Sequence, residues 1–63
     1  MISLQNLNGK NVVLNAELIE SVEASSPNTV ITLANGNRFV VKDTVEEVLA
    51  KVVEYKRKIL SSK

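Results

Sequence analysis

The chain has 63 residues with neither cysteine nor histidine, which excludes disulfides and the usual zinc and iron–sulfur ligand sets. A domain this short buries only about 60% of the surface its unfolded chain exposes, so its stability must come from regular packing or from association with other chains. A net charge of +1 is too small to attract a nucleic acid or a membrane through the overall field, although the last 22 residues carry six basic and four acidic side chains against two and three in the first 41.

The opening Met1–Asn6 is too polar for the apolar core of about 7 to 15 residues of a secretory signal, or the roughly 20 of a membrane span. A cytoplasmic location is predicted, with membrane contact only indirect. Asn8-Gly9 and Asn35-Gly36 each lie between β-prone runs, and Asn-Gly is the pair best able to take φ > 0 at both central positions of a type I′ hairpin turn. Two-residue turns there place Leu4 opposite Val13 in the first hairpin. In the second they place Leu33 opposite Arg38, Ile31 opposite Val40 and Val30 opposite Val41. With those registers both hairpins are apolar on two faces, which implies cover on both sides. A shift of one residue would remove that implication.

Between the hairpins, Leu18, Ile19 and Val22 alternate imperfectly with Glu17, Glu20 and Glu23 and predict a short strand, closed by the turn cluster Ser25-Ser26-Pro27-Asn28. The two Asn-Gly steps lie 27 residues apart, a spacing better explained by shared turn chemistry than by duplication. Thr44 followed by Glu47 reads as a capping box, with Asp43 as an alternative cap. Val45, Val48, Leu49, Val52, Val53, Ile59 and Leu60 then recur at helical spacing, with Glu47–Lys51 and Glu54–Lys58 as i,i+4 pairs on the other side. The prediction is α+β: one domain over residues 1–63 with a small antiparallel sheet of two β-hairpins and a short middle strand within residues 2–42. The sheet is expected to be curled or barrel-like, followed by one C-terminal amphipathic helix over about residues 44–60.

No catalytic set stands out. Histidine and cysteine are missing, the serines fall in a turn or near the termini, and the acidic clusters Glu17/Glu20/Glu23 and Asp43/Glu46/Glu47 read as solvated faces. Asn8-Gly9-Lys10 lacks the glycine spacing of a phosphate-binding loop. The expectation is therefore no enzyme, no metal, no cofactor and no small-molecule substrate. The run Lys56-Arg57-Lys58, followed by Lys63, is the candidate partner-binding site, balanced by its equal fitness as a helix end that complements the dipole. Phe39 and Tyr55 are too few aromatics for a base-stacking platform, which argues against nucleic acid. Surplus apolar sheet surface predicts a homo-oligomer, with Ile31, Leu33 and Val40 at its interface.

The chain resembles the FlbD family of short flagellar proteins, which includes SwrD-like swarming motility proteins. The resemblance spans nearly the whole chain. Its matching segments are Leu7-Asn8-Gly9-Lys10, Leu14-Asn15-Ala16-Glu17-Leu18-Ile19-Glu20, Thr29-Val30-Ile31-Thr32-Leu33, Asn35-Gly36, Val40-Val41-Lys42, and Val45-Glu46-Glu47-Val48 running into Glu54-Tyr55-Lys56-Arg57-Lys58. Each piece is unspecific, whereas their order and spacing in so short a chain are not. The resemblance implies a non-enzymatic cytoplasmic accessory of flagellar motility, linked in SwrD-like proteins to motor power for swarming. It does not say how power is raised; the missing chemistry and the surplus apolar sheet faces point to protein–protein binding, with a stator or rotor protein as the expected partner. The alternative is a small nucleic-acid-binding β module, since curled small sheets host that role and the tail is basic.

Overall fold

A computed structural model of the chain describes residues 1–61, so Lys63 of the basic run lies outside the described residues. Five strands and a helix follow one another as β1 (Ile2–Gln5), β2 (Asn11–Leu14), β3 (Ile19–Ser25), β4 (Asn28–Leu33), β5 (Arg38–Val41) and α1 (Val45–Ser61), with a 3₁₀ turn at Ala16–Leu18. The strands form two antiparallel sheets, β1-β2 and β3-β4-β5. A bridge from Asn6 to Val41 joins them at one corner. The α+β class and the element order agree with expectation. The sheets, however, do not close into a barrel, and the middle strand is the longest of the five.

Both Asn-Gly loops are one residue longer than the sequence suggests. The Asn6 N–H donates to the Lys10 carbonyl (2.9 Å) and the Gly9 N–H to the Asn6 carbonyl (3.0 Å), so Leu7, Asn8 and Gly9 form a three-residue loop. Ala34, Asn35 and Gly36 do the same between Leu33 and Asn37, whose N–H···O bond is 2.8 Å. A type I′ turn would hold both Asn and Gly at φ > 0, yet only the glycines are there, Gly9 at 82° and Gly36 at 91°. A turn that ends in one left-handed glycine spares the asparagine that strain and leaves its amide free for local bonding. Asn35 Oδ1 accepts the Asn37 N–H at 3.0 Å, and Asn6 Oδ1 accepts those of Asn8 and Lys10 at 2.9 and 3.1 Å.

The extra loop residue shifts each register by one, and that shift sorts the side chains. Leu4 faces Val12 and Ile2 faces Leu14, while Ile31 faces Phe39 and Thr29 faces Val41. One face of each hairpin then carries the apolar set and the other is largely polar, so the expectation of two apolar faces is corrected. On the outer face of the larger sheet, Val30 pairs with Val40 among Glu23, Thr32 and Arg38. In β3 the register breaks between Ile19 and Ser21, which lets both Ile19 and Val22 pack on the core. β3 and β4 meet at Ser26-Pro27, a cis peptide flanked by the paired Ser25 and Asn28.

The buried apolar set is Ile2, Leu4, Leu14, Ala16, Ile31, Leu33, Val41 and Val48. Val48 is the helix's member of this set among the described residues. Val45 and Val52 are half-buried along the same line, and Tyr55 packs against the core edge. The helix starts as read: Glu47 N–H donates to Thr44 Oγ1 (3.1 Å), and Thr44 N–H donates to Glu47 Oε1 (2.8 Å). A helix of 17 residues spans about 25 Å and overhangs the sheets. Its last turns therefore leave Ile59 and Leu60 in solvent.

Candidate functional site: the cleft between β1 and α1

Among the described residues β1 pairs with β2 alone, and the unpaired backbone of its outer edge must find partners or stay wet. Here it is stitched by the segment that leads into the helix. Gln5 N–H donates to Asp43 Oδ1 (2.8 Å), the Gln5 carbonyl accepts the Lys42 N–H (2.8 Å), and Lys51 Nζ donates to the Ser3 carbonyl (2.7 Å). Lys51 also ion-pairs with Asp43 Oδ2 at 2.9 Å. Thus Lys51, which spacing alone assigns to Glu47, is drawn across to β1, and Asp43 serves the strand edge rather than the helix start.

Burial works to raise the Asp43 pKa, but the Gln5 N–H and the Lys51 ammonium outweigh it and hold the carboxyl below its ordinary value. A group in that state is ionised throughout the neutral range, so it has no proton to give there and is a poor acceptor of one. In the fold it ties the β1 edge to the helix.

Beside this network, β1 and α1 enclose an open cleft of about 600 Å³. Met1, Gln5 and Asn11 line it from the strand side, and Glu54, Tyr55 and Lys58 from the helix. Amide, carboxylate, phenol and ammonium groups beside the exposed Met1 side chain can hold a polypeptide segment by mixed hydrogen bonds and packing. Among the described residues no group of three or more His, Cys, Asp and Glu could hold a metal ion.

The residues singled out from the sequence do not gather in one place. Lys58 lines the cleft, whereas Lys56 lines a second depression with Glu17, Ile59 and Leu60. Consecutive helical residues point roughly 100° apart, so Lys56, Arg57 and Lys58 fan around the helix instead of making one basic face. The three residues expected at an oligomer interface are divided between the two sides of the larger sheet. Ile31 and Leu33 are core residues at 0% and 7% exposure, while Val40 is on the opposite face at 40%. A one-residue register shift is what divides them. The Asp43–Lys51–Gln5–Ser3 network was not visible in the sequence, because its partners lie 38 and 48 positions apart and no local pattern links them.

Fold and cleft define a small, open α+β domain in which a polar network stitches one sheet edge to a helix. A family model described as FlbD, flagellar and swarming motility proteins, matches residues 1–60. The chain therefore belongs to the FlbD family and is associated with flagellar and swarming motility. No curated protein and no solved structure matches it. Among the described residues no helix is long and apolar enough to cross a membrane.

Proposed function

We propose that this chain is a non-enzymatic cytoplasmic accessory of the bacterial flagellum, supporting motor power for swarming by binding a stator or rotor component. The observation that carries this reading is the family match over residues 1–60. The cleft between β1 and α1 supports it physically, since its lining suits a polypeptide segment and Asp43 is committed to the fold by Gln5 and Lys51. Binding raises power by favouring the assembled or active state of the motor component, to the extent that the accessory binds that state more tightly than the other.

Cross-linked co-purification from motile cells, paired with torque measurements on a deletion strain, tests the proposal. A motor component should be recovered with the chain, and torque should fall in the deletion strain. Tyr55→Ala with Lys58→Glu should reduce both the recovery and the torque. Wild-type torque without the chain, together with no recovered motor component, would remove the reading.

A further inference from the structure

The helix has a second, separate surface. Leu49, Val53 and Leu60 are 50%, 55% and 83% exposed, and they flank the buried Val48–Val52 line on the side away from the β1 cleft. With Glu46 and Lys56 they fall at positions 46, 49, 53, 56 and 60, an alternation of three and four that forms a straight seam along one helix face. Of the two first-turn acids, Glu46 lies on the seam while Glu47 is held by the Thr44 cap; Lys56 sits toward the far end, beside Glu17 of the 3₁₀ turn. Within the helix the two ends of the seam thus carry opposite charges, Glu46 and Lys56.

We infer that this seam is a self-association surface on which a second copy of the chain packs its own α1 antiparallel. In that arrangement Leu49 of each copy meets Val53 of the other and Glu46 meets Lys56. Leu60 extends the contact past the partner's first turn. The antiparallel direction also aligns the helix dipoles favourably, whereas a parallel pair would set Glu46 against Glu46 and Lys56 against Lys56. A lipid surface is a poorer occupant, because the seam begins with an acid, and anionic headgroups favour amphipathic helices with a uniformly basic border. One helix seam is smaller than the roughly 800 Å² per partner of a standard stable interface, so the dimer dissociates on dilution. This surface is distinct from the cleft assigned to the motor component and does not rest on that assignment.

Sedimentation equilibrium of the full chain from micromolar to millimolar concentration tests the inference. Wild type should shift from monomer to dimer across that range. Val53→Lys, with Leu49→Ser as a second variant, should keep the circular dichroism spectrum and weaken dimerisation about thirtyfold. Glu46→Lys and Lys56→Glu should each weaken it about tenfold, and the double exchange should restore it. A wild-type chain that stays monomeric throughout overturns the inference, as does a double exchange no better than its singles. Wild type that is monomeric in solution yet sediments with phosphatidylglycerol vesicles, with Val53→Lys unable to do so, would assign the seam to a lipid surface instead.

Discussion

In the strands the apolar side chains of one face are covered: Ile2, Leu4 and Leu14 in the first hairpin, and Ile31, Leu33 and Val41 in the larger sheet, all reach the core. The helix has as many apolar positions at regular spacing but sinks only Val48 fully, half-buries Val45 and Val52, and leaves Leu49, Val53, Ile59 and Leu60 exposed. The difference has a geometric cause. A strand face is flat and a second layer covers it whole, whereas a helix presents its apolar stripe as an arc of which a narrow sheet contacts only part. The backs of the sheets expose Val13 and Val40, whereas the helix alone exposes Leu49, Val53, Ile59 and Leu60. The proposed self-association uses the helix seam, because Ile31 and Leu33 are core.

Placing a charge in the buried class should produce the largest effect. Val48→Asp or Ile31→Lys leaves an unpaired charge at a site with no exposure and should cost about 3–5 kcal/mol. That is enough to unfold a domain of this size, as loss of the cooperative urea transition would show. Retention of the fold in either variant would mean that the buried and exposed classes are not distinct.

Next is the stitched edge. Asp43→Ala removes the partner of the Gln5 N–H and of Lys51 and should cost about 2 kcal/mol in urea denaturation. Because the folded-state pKa of Asp43 is lowered, its contribution is complete above the ordinary carboxyl value of 3.8 and is lost as pH falls through the lower folded value. Stability measured downward from pH 3.8 should therefore fall less steeply in Asp43→Ala than in wild type. Equal slopes would show that Asp43 is not coupled to the strand edge.

Gly9→Ala and Gly36→Ala should each destabilise by about 1–2 kcal/mol. Both sites have open space for a Cβ, so the cost is that of φ alone. Asparagine, which tolerates the left-handed region better, should cost less than alanine at the same positions. Last, Leu49→Lys and Val40→Lys, on the exposed helix flank and the outer sheet face, should change monomer stability by no more than about 0.5 kcal/mol. A loss as large as that of Val48→Asp would erase the contrast between sheet and helix.

Much of the fold was legible from particular residues. Thr44 and Glu47 announced the helix start because a capping box is a local, reciprocal hydrogen-bond pattern three residues long. The glycines announced both loops for a similar reason. The loop length was not legible: Asn-Gly fits a two-residue turn and a three-residue loop equally well as a string. The choice falls to the register that puts Ile31 opposite Phe39 and Leu4 opposite Val12 on a shared core. The cleft and the Asp43–Lys51 stitch were hidden for a further reason, since each joins segments that approach only after the sheets meet at the Asn6–Val41 bridge.

By itself, then, the amino-acid order determined the element types, their sequence along the chain, the helix cap and the kinship with the flagellar family. All of these rest on local chemistry or on residue order. Tertiary structure alone decided the hairpin registers, which side chains are core, which flank of the helix is bare, and what Asp43 does. Each of those depends on side chains distant in the chain competing for one interior, and a side-chain period of two turns a single-residue shift into an exchange of inside for outside.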